Sequence, residues 1–138
     1  MFFKCVKIFI KDLIYHTPKQ ILIDKEIESV KTNGLVHFTK YINKTSIEQN
    51  GIIGNFKKPM FKREKGFTWF YIYDIANFQE KRNIVLSKGE RKEYDAFVVI
   101  KGLSDEQISR LRIRRETDNA VAYPGTLKTD DIVISKLQ

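Results

Sequence analysis

The stretch 34–53 constrains the fold most, because it joins a short apolar run to a polar segment of helical character that ends at a glycine. The apolar run predicts a strand, on which His37 and Thr39 lie two residues apart and therefore share one face. Thr45-x-x-Glu48 has the spacing of a capping box, and Asn50-Gly51 is a stop signal, so a helix of about two turns is predicted between them. The stretch thus predicts a strand–helix unit that presents an imidazole beside a hydroxyl.

The rest of the chain adds strands more than helices. Helices are predicted over 2–14, over 18–31 with an end at Asn33-Gly34, and from the Ser104-x-x-Gln107 capping box to about residue 111. The first of these is amphipathic, and it packs either against the core or on a membrane surface. Strands are predicted over 67–73, which is almost entirely β-branched or aromatic, and over 94–101, which is apolar enough to be central in the sheet. The others predicted are 84–86, 111–114 as an exposed or edge strand, 120–123 and 132–134.

This order of elements predicts the α+β class, with a mixed, largely antiparallel sheet. A chain of 138 residues with 42% hydrophobic residues fits a single domain, 1–138, with N-terminal helices in 1–33 and a sheet-rich core in 34–138. No apolar run approaches the roughly 20 residues that a membrane-spanning helix needs. We therefore expect a protein without a membrane span.

Charge and cysteine content limit the chemistry. The formal net charge of +8 favours polyanionic partners such as nucleic acid, an anionic membrane surface or a phosphate-rich cofactor, although a solvating lysine-rich surface has the same composition. Cys5 is the only cysteine, so neither an intramolecular disulfide nor a cysteine metal site is possible, and a cytoplasmic location is expected. His16 and His37 lie too far apart in sequence to predict a metal site.

The pattern Leu35-x-His37-Phe38-Thr39, followed by Ile47-x-x-x-Gly51-Ile52, resembles the first strand and helix of the ADP-ribosyltransferase superfamily. The resemblance is nearest to its bacterial DarT-like and His-Tyr-Asp/Glu toxin branches, and more distant to the tRNA 2′-phosphotransferases. It implies a split β-sheet core, NAD as the cofactor, and transfer of ADP-ribose to a macromolecular acceptor, either nucleic acid or protein. The resemblance also implies that the protein is a toxin, or an effector delivered into another cell, with an antitoxin as partner.

The resemblance also implies residue roles. His37 and Thr39 would bind the NAD ribose, and Tyr71 would stack on nicotinamide, with Tyr73 as the alternative register. Asp118 would be the catalytic acid, and Glu116 would orient the acceptor. Basic residues near that acid, Arg112 and Arg114 among them, would bind the pyrophosphate.

Other interpretations of the same residues stay open. Asn119 in place of Asp118 at the catalytic position would indicate a weak or inactive enzyme, and Asp130-Asp131 is a third acidic option. His37 is equally consistent with a structural histidine on a strand, and Glu116 and Asp118 with a solvated turn paired to arginines.

The segment 55–65 carries five basic residues interleaved with aromatic ones, which suits a nucleic-acid surface or a loop over a cofactor. A noncatalytic nucleic-acid-binding module is therefore the main alternative function. An RNA-processing enzyme, either a ribonuclease or a 2′-phosphotransferase, is the third.

Overall fold

The computed structural model describes residues 20–53, 66–87 and 93–137. Four α-helices occur in this part of the chain: α1 (Asp24–Asn33), α2 (Lys44–Asn50), α3 (Phe78–Leu86) and α4 (Asp105–Arg110). A 3₁₀ turn over Tyr41–Asn43 precedes α2. The strands are β1 (Gln20–Ile21), β2 (Leu35–Thr39), β3 (Phe67–Ile72), β4 (Ala96–Lys101), β5 (Arg112–Ile113), β6 (Val121–Pro124) and β7 (Asp131–Lys136).

The seven strands form one sheet in the order β1-β5-β6-β3-β2-β4-β7. Each pairing between neighbouring strands is antiparallel. The longest ladders join β2 to β4 and β4 to β7, and β4 is the apolar interior strand that the sequence predicts. The α+β class and the antiparallel sheet are therefore confirmed.

Both faces of the sheet carry apolar residues, because inward and outward positions alternate along each strand. One face, here called the α1 face, packs against Val30 of α1, Ile47 of α2 and Ile108 of α4. The other, the α3 face, packs against Val85 and Phe78 of α3. A sheet covered on both sides accounts for the fully buried strand residues, each of which stabilises the fold by about 1.5–3 kcal/mol. They include Leu35, Val98, Ile100 and Val121.

Two helix ends match the predicted glycine stops. Gly34 follows α1 with φ 84°, and Gly51 follows α2 with φ 78°. Residues other than glycine rarely adopt this backbone conformation. The Ser104 capping box is also present, since the Ser104 hydroxyl accepts from the Gln107 N–H at 3.1 Å and the Gln107 side chain accepts from the Ser104 N–H at 2.9 Å.

The predicted helix starts were wrong at two places. The helix predicted over 18–31 begins only at Asp24, because Gln20 and Ile21 pair with β5 as a short strand. Glu26 then accepts from the Ile23 N–H at 2.9 Å at the start of the helix. In α2 the Thr45 box does not form: the helix begins at Lys44, and its N-cap residue makes no side-chain cap bond.

Two strand predictions also fail. Residues 84–86 belong to α3, where Phe78 and Val85 lie seven positions apart and both pack on the sheet. A run of three apolar residues has no periodicity that distinguishes strand from helix. The 111–114 segment is a strand, β5, but it lies between β1 and β6 rather than at an edge. The apolar residues of this alternation, Leu111 and Ile113, are buried on the α1 face, whereas Arg112 and Arg114 between and after them are only partly buried.

Two predictions lie outside the described residues: the helix over 2–14 and the basic segment 55–65. Within residues 20–53, 66–87 and 93–137, no helix has the length and apolar character to cross a membrane.

Gly34 provides a test of how tightly the α1–β2 corner packs on β4. A Cβ at this position would lie 2.4 Å from the Ile100 carbonyl oxygen, which is far inside van der Waals contact. We expect Gly34→Ala to lower the free energy of unfolding by about 3 kcal/mol, from backbone strain plus displacement of β4.

Gly102→Ala is the matched control, because Gly102 also has positive φ (71°) but its added Cβ would meet no described atom closer than 3.7 Å. We expect a loss of about 1 kcal/mol there, measured by urea denaturation. Equal losses at both positions would contradict the predicted clash.

Candidate functional site

The sheet parts between β2 and β3, and this split defines the candidate site. Only two residue pairs join the strands, Leu35 with Ile72 and Val36 with Tyr71. The other half of β3, from Phe67 to Phe70, pairs with β6, while β2 continues along β4 as far as Thr39. The backbone ladder between β2 and β3 therefore ends at the point where His37 begins the open part of β2.

His37 bridges the split with its ring. Its Nδ1 lies 2.8 Å from the Trp69 carbonyl oxygen, and because a carbonyl only accepts, Nδ1 carries the hydrogen. In the neutral ring Nε2 is then an acceptor. The ring centroid lies 5.5 Å from that of Phe70, on the α1 face. The side chain thus supplies the cross-strand hydrogen bond that the diverging backbones no longer make.

Thr39 lies beside His37 on the same face, as the strand alternation predicts. It is buried, and its hydroxyl accepts a hydrogen bond from Asn43 Nδ2 at 3.1 Å. Asn43 ends the 3₁₀ turn that follows β2, so the turn and the strand hold the hydroxyl together. Asn43 was not predicted as a site residue, although its position four residues after Thr39, directly before α2, is a signal that could have indicated it.

Tyr71 and Tyr73 lie on the opposite face. Because Phe70 points to the α1 face, its neighbours Trp69 and Tyr71 point to the α3 face. The Tyr71 ring is buried with Lys81 Nζ 5.0 Å from its centroid, and the Tyr73 ring lies 6.0 Å from that of Phe78. The structure therefore does not bring either tyrosine onto the face of His37 and Thr39.

Asp118 closes the turn between β5 and β6. Its Oδ2 accepts from Arg114 Nη2 at 2.8 Å, and its Oδ1 accepts from the Ala120 N–H at 3.0 Å and from the Thr117 hydroxyl at 3.1 Å. Partial burial raises the pKa of Asp118, but the Ala120 N–H and the Arg114 charge outweigh this, so the pKa is lowered overall. The carboxylate is thus ionised, and three donors hold it in place.

Arg114 and Trp69 connect this turn to the split. The guanidinium carbon lies 4.5 Å from the centre of the Trp69 ring, which is within cation–π distance. Lys81 also donates to the Asp118 carbonyl at 3.0 Å. Trp69 thus accepts from His37 through its carbonyl oxygen and contacts Arg114 through its ring, so one residue links the two predicted halves of the site. This link through Trp69 was not predicted, because His37 and Arg114 are far apart in the chain and no local pattern relates either of them to Trp69.

The remaining predicted site residues lie apart. Glu116 is exposed in the turn. Arg112 donates to the carbonyls of Ser109 and Leu111, both at 2.8 Å, and so satisfies the end of α4. Arg115 pairs with Glu26 of α1, where Nε to Oε2 is 3.1 Å. The structure therefore brings Asp118 to Arg114 but gives Arg112 a structural contact at a helix end.

The comparisons with known proteins add no relative. The chain matches no protein-family model, and it has no significant match among curated proteins or solved structures. Within the described residues, no group of three or more His, Cys, Asp or Glu side chains could hold a metal ion.

The Asp118 cluster generates a prediction about stability and pH. A folded-state pKa below the unfolded value of about 3.9 means that the carboxylate stabilises the fold above that pH, and that this contribution is lost as the pH falls through the lowered value. We expect Asp118→Asn to lower the free energy of unfolding by about 1–2 kcal/mol at pH 7. Urea denaturation at pH 7 and in acid should find the difference shrinking as the pH falls below 4.

Glu116→Gln is the control, because this exposed neighbour changes charge in the same turn and should shift stability by no more than about 0.5 kcal/mol. If Asp118→Asn lowers the free energy of unfolding by the same amount at pH 7 and in acid, the ion pair with Arg114 contributes nothing to stability.

Proposed function

We propose that this protein is an NAD-dependent ADP-ribosyltransferase whose cofactor binds at the split between β2 and β3. One observation carries the proposal: the two strands part at His37, where an imidazole held by the Trp69 carbonyl lies beside the buried hydroxyl of Thr39. The resemblance of residues 35–52 to the first strand and helix of that superfamily supports the same assignment. So does the antiparallel α+β architecture.

His37 and Thr39 are the residues that would hold a ribose of NAD. With Nδ1 donating to Trp69, Nε2 is the acceptor end of the ring, which suits a ribose hydroxyl as donor. The fixed tautomer also preorganises the ring, since its orientation does not depend on the ligand. His37 is a strand residue with a defined hydrogen bond, so it can position a sugar without a loop closing over it.

Asp118 would act on the reactive ribose from the other face. In this reaction the C1′–nitrogen bond would break with its electron pair going to the nitrogen, so that neutral nicotinamide leaves, and the acceptor nucleophile would bond to C1′ and release its proton to water. A carboxylate stabilises the positive charge that develops at C1′. His37 lies on the α1 face and Asp118 lies with Arg114 and Lys81 on the α3 face, so one NAD molecule would have to reach both faces of the sheet to contact both residues.

Arg114 would make the carboxylate available. In the structure it pairs with Asp118, and both side chains keep about a fifth of their surface exposed (20% and 18%). A pyrophosphate carries more charge than one carboxylate and accepts bidentate hydrogen bonds from arginine. Arg114 would therefore bind the NAD pyrophosphate, and in doing so it would release the Asp118 carboxylate to act on the ribose.

The experiment separates binding from chemistry with two substitutions. His37→Asn keeps a side-chain N–H near the position of Nδ1 but removes the rest of the ring. We expect it to keep the wild-type melting temperature and to lose the rise in melting temperature that excess NAD produces. Asp118→Asn should retain that rise but release nicotinamide at least about 100-fold more slowly, since one preorganised electrostatic contact is removed.

Nicotinamide release is measured by chromatography with the pure protein, alone and with DNA, RNA or cell extract. Glu116→Gln reports whether loss of any acid in the turn has the same effect. Wild-type protein whose melting temperature does not respond to NAD, and which releases no nicotinamide under any of these conditions, would refute the assignment.

A second candidate function, a noncatalytic nucleic-acid-binding module, is favoured by a partly exposed aromatic ring, that of Tyr41, which has cations beside it. Lys136 Nζ lies 4.6 Å and Lys44 Nζ 5.7 Å from the centre of the Tyr41 ring. Ile42 beside it is 85% exposed. Ring and ammonium groups together suit single-stranded nucleic acid, in which bases stack and phosphates are neutralised.

For this candidate we expect single-stranded oligonucleotides to bind with an affinity that falls steeply with salt. Tyr41→Ala should weaken binding by about tenfold, since base stacking contributes roughly 1–3 kcal/mol per base. Fluorescence anisotropy at two salt concentrations measures it, with Lys31→Ala on α1 as a control for loss of charge elsewhere. Binding that is insensitive to both salt and Tyr41 would contradict this candidate.

A further inference from the structure

The outer edge of β7 is open in the part of the chain that the structure describes. β7 pairs with β4 along six residues, and no described strand lies on its other side. Val133, in the middle of the strand, is 56% exposed, and Asp131 and Lys136 at its ends are exposed too. An exposed strand edge with a central apolar residue is a template for pairing with another strand.

The backbone groups that point outward follow from the hydrogen bonds to β4. The Leu137 N–H donates to the Asp95 carbonyl at 2.8 Å, and antiparallel hydrogen-bonded pairs recur at every second residue. Val133 and Ser135 therefore bond to β4, and the Asp131 N–H at the start of the strand donates to the Thr129 hydroxyl at 3.3 Å. Ile132, Ile134 and Lys136 direct their N–H and C=O groups to the open edge.

Symmetry restricts how this edge can pair with a second copy. Two identical antiparallel strands in one sheet are related by a two-fold axis perpendicular to the sheet. One residue of the strand must therefore lie opposite its own copy, and the two side chains of every cross-strand pair lie on the same face of the sheet. With the axis at Val133, Ile132 lies opposite Ile134, and the exposed Asp130, in the bend that precedes β7, lies at the position that would face Lys136. With the axis at Ile134, Lys136 lies opposite Ile132 and no charges match.

We propose that two copies of this chain associate through the outer edges of β7, antiparallel, with the two-fold axis at Val133. This register pairs opposite charges twice, at Asp130 and Lys136, and it places the exposed Val133 side chains against each other. It also makes Ile132–Ile134 a hydrogen-bonded pair, which satisfies the outward backbone groups of both residues. The two sheets then continue as one, and the proposal does not depend on the proposed enzymatic function.

Site-specific cross-linking tests the register. In a Cys5→Ser background, Val133→Cys would place two cysteines at a non-hydrogen-bonded pair, where Cα atoms are about 4.5 Å apart and a disulfide forms readily. Mild oxidation should give a covalent dimer. Asp131→Cys is the matched control, because in this register position 131 lies opposite Ser135 and not opposite itself, so no covalent dimer is expected.

Substitutions without a cross-link test the association itself, measured by analytical ultracentrifugation over a range of concentrations. Val133→Lys sets two like charges against each other at the axis, and we expect the dimer dissociation constant to rise at least about tenfold. Ile75→Lys, at another exposed apolar residue away from β7, should leave it unchanged. Asp130→Lys should weaken the dimer, and adding Lys136→Asp in the same chain should restore it.

A wild-type protein that is monomeric throughout the concentration range, with no Val133→Cys cross-link, would overturn the proposal. So would cross-linking of Asp131→Cys as efficient as that of Val133→Cys, or a failure of the charge exchange to restore a dimer that Asp130→Lys had weakened.

Discussion

The two halves of the sheet are held together where β2 meets β3, and this junction is short. Two residue pairs, Leu35–Ile72 and Val36–Tyr71, make the ladder, and the Tyr73 N–H extends it by donating to the Gly34 carbonyl at 2.9 Å. Beyond it the strands separate, and the His37 ring takes over with its bond to the Trp69 carbonyl. The core on the α1 face and the candidate site beside it therefore both depend on the pairing of β2 with β3 directly after Gly34.

Trp69 has a second role on the other face of the same junction. Its ring contacts the guanidinium of Arg114, and Arg114 holds Asp118 in the turn before β6. A chain of contacts thus runs from the imidazole through one tryptophan to the carboxylate, across the thickness of the sheet. Any ligand that competes for Arg114 changes the partners of Asp118, and Trp69 is the residue through which the two faces are in contact.

The cationic surface of the protein is only partly neutralised by its own acids. Lys40, Lys31 and Arg110 pair with Glu93, Asp105 and Glu106 at exposed positions, and such pairs contribute little to stability. Lys44 and Lys136 both lie near the Tyr41 ring, and Lys44 also pairs with Glu48 at 3.7 Å. With a net charge of +8, the protein retains cationic groups available to an anionic ligand, and this property is common to both candidate functions.

Local sequence was sufficient for the elements whose signals do not depend on distant residues. The strands containing Phe70 and Val98 were predicted from their β-branched and aromatic residues, and the ends at Gly34 and Gly51 from glycine after a helical run. The Ser104 capping box was predicted because both of its partners lie within one helical turn. Prediction failed where contacts with distant residues override a local pattern. Gln20 and Ile21 pair with β5 instead of starting a helix, and the apolar residues 84–86 belong to α3, in which Val85 packs on the sheet.

For the candidate site the division is similar. Strand periodicity alone placed His37 and Thr39 on one face, because alternation is a local property of an extended chain. Which face of β3 carries Tyr71 relative to His37 depends on the register between β2 and β3, and the chain's own pattern does not encode it. The pairing of Asp118 with Arg114 is local, and the sequence offers it as an alternative, whereas the hydrogen bond from His37 to Trp69 and the stacking of Arg114 on Trp69 exist only after the strands assemble. Packing across the sheet decided these two contacts, because each joins groups that the linear pattern of residues does not relate.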